Sequence, residues 1–337
     1  MKRKRILSLD GGGIKGIILA QLLIALEKEI RKQTKDPKAK LSDYFDLIAG
    51  TSTGGIITSL LLTPDENGKQ KYSAEDILKI YCEFGKEAFK TSLFYKFKKL
   101  FGLVGPKHLS ETFNKSLKKV FGDLYLKELL KPCLIPAYNI EARKSEFFNS
   151  MDAKFDRNKN FKVRDICLGT GSAPTYFKPA KIHPESQKGY LPLIDGGLIA
   201  NNPALCALTE LQVKFGSKSK SVLPSDVILL SLGTGKDDSP ILYKKARRWG
   251  AIRWLLPVIT ILMSASVETV DYELKQIFLA SKSPKQYVRI NSEFQKASLA
   301  MSDVSSKNIG RLKEEGQRIA AEHKSEIKAI VKLLIAK

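Results

Sequence analysis

Tyr44-Phe45-Asp46-Leu47-Ile48-Ala49-Gly50-Thr51-Ser52-Thr53-Gly54, continued by Gly55 and the apolar run Ile56 to Leu62, is the stretch on which the fold turns. Tyr44 to Ala49 reads as a strand stopping at Gly50, whereas Ile56 to Leu62 has helical spacing. Ser52 therefore falls in a tight strand-to-helix turn, the setting of a nucleophile elbow. There a strained backbone turns the hydroxyl outward, and flanking glycines let strand and helix come close. A helix starting near Gly54 also aims its free N–H groups and positive end at an oxyanion formed beside the serine. The same pentapeptide also serves as an ordinary polar turn, so its companions in the chain decide the reading.

One companion is a second glycine cluster. Arg5 to Leu9 reads as a short strand, Asp10-Gly11-Gly12-Gly13-Ile14-Lys15-Gly16 turns the chain, and Ile17 to Ile30 follows as an amphipathic helix. Consecutive backbone N–H groups at such a turn form an anion-binding nest. Gly11 to Gly16 also fits G-x-G-x-x-G, which would make the chain a nucleotide-binding oxidoreductase. That fingerprint needs an acid ending the second strand. Glu27 and Glu29 are at about the right distance, but both fall in the first helix, and the next strand leads to Ser52. An oxyanion hole uses the same nest for a smaller anion. A glycine turn that only packs close to a helix is the third possibility.

The other companion is Asp195-Gly196-Gly197. A serine hydroxyl needs a positioned base, ordinarily histidine, and only three histidines are present. His108 lies in a basic segment, His183 in a polar loop beside Pro184, and His323 on the charged side of a late helix; only His323 gives the order Ser, Asp, His. A carboxylate base is the simpler expectation. An aspartate near its usual value of about 3.9 is a weak base, so burial must raise it. Asp195 follows the apolar Tyr190 to Ile194, a strand end where burial is expected, and Gly196-Gly197 permits close approach to Ser52.

Asp10 to Gly16, Gly50 to Gly54 and Asp195 to Gly197 together resemble the glycine-rich, serine and Asp-Gly-Gly signatures of the patatin-like phospholipases. Ser172-Ala173-Pro174-Thr175-Tyr176-Phe177, Asn201-Asn202-Pro203 and Ser231-Leu232-Gly233-Thr234-Gly235 extend the resemblance in the same order, across Lys4 to Gly235. It implies a three-layer α/β/α fold with a mainly parallel central sheet, and lipid acyl hydrolase activity of phospholipase A or lysophospholipase type. Ser52 would be the nucleophile of a Ser-Asp dyad and Asp195 the proton acceptor, with the N–H groups of Gly11, Gly12 and Gly13 as oxyanion hole. An acyl-enzyme would form, and no metal or organic cofactor would be required. The family usually has arginine where this chain has Lys15; lysine there can add positive potential near the oxyanion but cannot brace the loop by bidentate bonding. Some bacterial members are membrane-damaging effectors switched on by a signalling nucleotide. A nucleotide activator is therefore compatible with the resemblance, although no residue here marks one.

The 337 residues show no Pro/Ser-rich linker and no internal repeat, and 43% of them are hydrophobic, ample for one core. Strand-like runs at Ile6 to Leu9, Phe45 to Ala49, Cys133 to Ala137, just before or at Ile194, and Val227 to Leu232 alternate with helical patterns. The expected organisation is a catalytic core over 1–235, with 236–337 as a basic aromatic segment and helical extension packed on it. Cys82, Cys133, Cys167 and Cys206 are scattered, as expected of thiols in a reducing compartment. The basic start ends at Asp10 rather than continuing as a signal peptide, and Trp254 to Met263 is too short to cross a bilayer. A cytoplasmic protein, peripheral on the inner membrane face, is expected.

The formal net charge of +22 attracts anionic surfaces of any kind. The basic residues are dispersed and no nucleic-acid signature appears, so an anionic membrane is the expected partner and nucleic acid is not. Tyr243 to Leu256 interleaves cations with both tryptophans, and Phe94 to Phe101 is a second such mixture; both suit the headgroup boundary. A basic membrane-binding adaptor without catalysis would carry the same two segments.

Overall fold

The computed structural model describes residues 3–88, 110–216, 221–236, 238–298 and 300–336. Phe94 to Phe101 and His108 lie outside the described residues. At the centre is an eight-stranded sheet. Strand β1 (Lys4–Leu9) runs parallel to β2 (Leu47–Gly50) on one side and to β7 (Val227–Leu232) on the other, and β2 runs parallel to β3 (Cys133–Asn139). Antiparallel pairings complete that side: β4 (Lys144–Asn149) and β6 (Leu191–Asp195) against β3, and β5 (Ala180–Ile182) against β6. The middle strands are apolar runs because helices cover both faces.

Two hydrophobic clusters mark those faces. Leu7 and Leu9 of β1 and Ile228, Leu230 and Leu232 of β7 point into the larger cluster. Their alternates Ile6, Val227 and Leu229 point into the other. On the larger side lie helices α1 (Gly16–Thr34), α2 (Thr53–Leu62), α3 (Ala74–Ala88), α4 (Ser110–Phe121), the short α5 (Ser150–Ala153) and α6 (Val163–Thr170). After the short α7 (Gly197–Ala200), α8 (Ala204–Phe215) covers the opposite face. The result is a three-layer α/β/α sandwich, as the sequence leads one to expect.

The C-terminal third departs from the expected appendage. Its chain runs through the short α9 (Tyr243–Ala246) and the 30-residue α10 (Ala251–Ala280) into β8 (Tyr287–Ile290). Strand β8 joins the central sheet in parallel with β7, so the sheet itself crosses the boundary drawn at Gly235. Helices α11 (Ser306–Glu322) and α12 (Lys324–Ile335) then lie on α1, close enough that a Cβ on Gly316 would sit 2.6 Å from Gln21 Cβ. The late helix expected to carry His323 is two helices that divide at that residue. Helix α10 also exceeds the apolar stretch read from Trp254 to Met263. By length and composition it could span a membrane, but Leu274 and Phe278 near its C-terminus are fully buried in the second cluster. Each such side chain holds the helix to the molecule by roughly 1.5–3 kcal/mol.

Candidate active site

Ser52 has φ 53° and ψ −118°, a left-handed conformation that costs a side-chain-bearing residue on the order of 1–3 kcal/mol. The surroundings enforce it. A Cβ on Gly54 would lie 2.1 Å from the Leu9 carbonyl oxygen, and one on Gly50 would lie 2.2 Å from that of Gly54. Only glycines let β1, β2 and the first turn of α2 approach this closely. The turn is tied down by Thr51 Oγ1, which donates to the Ala200 carbonyl at 2.6 Å.

Register brings Asp195 to Ser52. Residue Leu134 of β3 pairs with Ala49 and with Asn149, and Ala137 pairs with Asp195 and with Glu146. Strand β4 thus occupies one edge of β3, while β2 and β6 share the other edge end to end. They run in opposite directions, so their C-terminal ends meet. Ser52 Oγ donates to Asp195 Oδ2 at 2.7 Å, and the Gly197 N–H donates to Asp195 Oδ1 at 2.7 Å. Asp195 is 4% exposed, and burial lifts its carboxyl from 3.8 to about 6, although the bonds from Gly197 and Ser52 pull it down. The burial expected from the apolar residues before Asp195 is therefore present.

Thr170, which the sequence reading missed, fills the junction where β2 and β6 part. Its Oγ1 donates to the Pro136 carbonyl at 2.6 Å and accepts from the Ser52 N–H at 2.9 Å, while its carbonyl accepts from the Gly196 N–H at 3.3 Å. One buried residue thus ties both turns, the serine turn through its side chain and the Gly196 turn through its backbone carbonyl. A lone threonine at a helix end carries no sequence signal for this role.

The first glycine loop sits over the serine. Gly13 is in the left-handed region at φ 60°, and its carbonyl accepts from Thr53 Oγ1 and Tyr81 OH, each at 2.7 Å. Gly12 and Gly13 line the cavity that holds Ser52 and Asp195. Gly11 departs from the expected trio: its N–H donates to the Asn201 carbonyl at 3.0 Å and its carbonyl accepts from Thr234 Oγ1 at 2.8 Å. At the loop's start, Asp10 is gripped bidentately by Arg289 of β8, whose Nη1 also donates to Ser231 Oγ at 2.7 Å. Nothing in Tyr287-Val288-Arg289-Ile290 points to this brace, because an arginine inside a four-residue apolar run looks like an edge position.

Lys15 lies apart from the serine. Its Nζ stands 5.0 Å from the centre of the Phe294 ring, and the residue lines a neighbouring, wider cavity of about 500 Å³. The histidines are elsewhere too. His183 is exposed with Nδ1 3.0 Å from the Gly189 carbonyl, and His323 contacts Ser292 and Glu326. Glu27, weighed as a ribose ligand, is buried on α1 and paired with Arg31 at 3.0 Å, which leaves the dinucleotide reading without its acid. The cavity over Ser52 is narrow, about 70 Å³, and walled by Ile56, Phe84, Phe113 and Phe177 together with Ile259 and Met263 of α10.

A three-layer sandwich with a glycine loop beside a strained strand-to-helix turn, opening into an apolar cavity, is the architecture of an α/β acyl hydrolase. The chain belongs to the patatin-like phospholipase family, whose general activity is lipid acyl hydrolysis: the family model matches residues 7–208. Patatin-like protein 1 of Arabidopsis thaliana is 34% identical over 93% of this chain and 80% of its own length. Patatin-2-Kuras 3 of Solanum tuberosum is 32% identical over 93% of this chain and 83% of its own. Among solved structures, VipD from Legionella pneumophila covers 96% of this chain and 67% of its own at 14% identity and a TM-score of 0.36, too distant to bear on the site.

Proposed function

We propose that the protein hydrolyses carboxylic esters of membrane phospholipids or lysophospholipids, with Ser52 as nucleophile and Asp195 as its base. The observation that carries this reading is the 2.7 Å bond from the Ser52 hydroxyl to a buried carboxyl raised to about 6. As Ser52 Oγ attacks the ester carbonyl carbon, its proton passes to Asp195 and the carbonyl electrons move onto oxygen. The N–H groups of Gly12 and Gly13, supported by the positive end of α2, receive the oxyanion. Collapse expels the lipid alcohol, which takes the proton from Asp195, and leaves an acyl-serine. Water then attacks the acyl carbonyl, giving a proton to Asp195, and the fatty acid leaves as Ser52 is reprotonated. Lys15 adds positive potential at the neighbouring cavity, so Lys15→Arg keeps the rate within about twofold, since Arg289 already braces the loop.

The enzyme would work as a peripheral protein on an anionic, cytoplasmic membrane face, drawn there by its charge of +22. Mass spectrometry of products from mixed phospholipid vesicles, run beside Ser52→Ala and Asp195→Asn, tests the assignment. Fatty acid and lysolipid should appear with the parent protein alone. Equal product from either variant would remove that residue from the mechanism, and a parent protein that binds vesicles without releasing product would be the adaptor.

A further inference from the structure

Helix α10 carries a broad apolar arc, and only part of it is covered. Toward the protein, Ile259, Thr260 and Met263 line the cavity over Ser52, and Met263 Cε would lie 3.0 Å from a Cβ on Gly197, beside Asp195. Beside them, Leu255, Val258, Ile261 and Leu262 stand 41–58% exposed, and Ile252 at the start of the helix is 87% exposed. At about 100° per residue, 258, 262 and 255 lie side by side in one strip, and 259 and 263 continue the same arc toward the cavity. A surface helix of a water-facing protein has a polar outer side; this one has a contiguous apolar stripe.

The residues just before the stripe are cationic. Lys244, Lys245, Arg247, Arg248 and Arg253 are all exposed, none has an ion-pair partner among the described residues, and no acidic residue occurs between Ser239 and Val267. Trp249 and Trp254 pack edge to face within this collar, their ring centres 5.2 Å apart, and Tyr243 is 77% exposed. Cations and amphipathic aromatics running from α9 into the first turn of α10, followed by bare aliphatics, match the headgroup, boundary and acyl layers of an anionic bilayer.

We propose that α10 is the membrane-docking helix: its outer stripe enters the acyl layer of an anionic bilayer while its inner side forms the wall of the cavity over Ser52. This rests on the lipid hydrolase reading and deepens it, because lipid would then reach the serine from the bilayer along the helix that holds the enzyme there. The narrowness of the cavity, about 70 Å³ against ~300–1,000 Å³ for ordinary ligand clefts, means that an acyl chain enters only as this wall shifts outward. Docking and access to the serine are therefore coupled for a bilayer substrate and uncoupled for a small soluble ester.

The test uses the full chain, the double variant Leu255→Glu/Leu262→Glu, and Ser52→Ala. Each is assayed for sedimentation with phosphatidylglycerol and phosphatidylcholine vesicles, tryptophan emission, fatty acid release, and hydrolysis of a short p-nitrophenyl ester. The parent and Ser52→Ala should sediment with phosphatidylglycerol vesicles with a blue shift of Trp249 and Trp254 emission. The double variant should lose binding and fatty acid release at least tenfold, yet keep soluble-ester hydrolysis within about twofold. Unchanged binding in the double variant overturns the proposal. So does a light-scattering mass showing that the stripe is covered by a second copy in the parent and uncovered in the variant. If Ser52→Ala hydrolyses esters like the parent, the catalytic reading fails, while the sedimentation result still decides the docking surface.

Discussion

At pH 5 most Asp195 side chains carry the proton they would have to accept. Burial raises this carboxyl to about 6, so the proposed base becomes available as pH rises through that value. Hydrolysis of a soluble ester should climb with an apparent pKa of about 6 and level off above about pH 7. His183→Ala and His323→Ala should leave the inflection in place; its disappearance in either would transfer the role of base to that histidine. The same burial has a stability consequence of opposite sign. A folded-state value above the unfolded 3.8 contributes stability that is complete below about pH 4 and lost as pH passes 6. At pH 8 the ionised carboxylate therefore weakens the fold, and Asp195→Asn removes the charge while keeping an acceptor for the Gly197 N–H. That variant should be more stable than the parent by roughly 1–3 kcal/mol in urea unfolding at pH 8, with the gain vanishing near pH 4. Equal stability at both pH values would mean that Asp195 ionises as if in water.

Elements, rather than single residues, bring the hydroxyl and carboxylate together: β2 and β6 meet head to head on one edge of β3, with Thr170 at the end of α6 spanning the gap. Thr170→Val keeps the shape and deletes the hydroxyl, leaving the Ser52 N–H and the Pro136 carbonyl without that partner. The expected cost is about 1–3 kcal/mol of stability. A misplaced Ser52 should also lower kcat on a soluble ester tenfold or more with little change in KM, and Thr170→Ser should restore most of it. Loss of stability with unchanged kcat would make Thr170 a packing residue only. How far such elements can be read from sequence follows from their chemistry. β1, β2 and β7 are legible because both faces are covered and their buried stretches are mostly apolar, and the glycines around Ser52 are legible because close backbone approach excludes other residues. β4 begins Lys144-Ser145-Glu146 on an edge, β5 has three residues, and β8 has Arg289 at its centre, so none carries a strand pattern. The partnership of Arg289 with Asp10 spans 279 positions and leaves no local trace.

On the scale of the whole molecule, the signatures that identify the family and the residues that make the fold stable occupy different lengths of chain. The family match ends at residue 208, and the sequence motifs end at Gly235, yet β8, α10, α11 and α12 all follow. Strand β8 covers the edge of β7 and supplies the guanidinium that neutralises Asp10 at the head of the glycine loop; a buried carboxylate stripped of that partner costs on the order of 3–5 kcal/mol. Helices α11 and α12 bury Ile309, Leu312, Ile319, Ile330 and Leu334 on the outside of α1, and the Met301 carbonyl accepts from the Ile14 N–H within the loop at 2.9 Å. These losses together are comparable with the roughly 5–15 kcal/mol that holds a typical domain folded. A chain ending at Gly235 should therefore lack a cooperative thermal transition, expose apolar surface and release no fatty acid from vesicles, whereas the full chain should melt cooperatively, keep that surface buried and release fatty acid. A soluble, cooperatively melting 1–235 fragment that reacts with a fluorophosphonate at Ser52 would show instead that the last hundred or so residues are an accessory to a self-sufficient core, and would return the boundary to the place the sequence motifs put it.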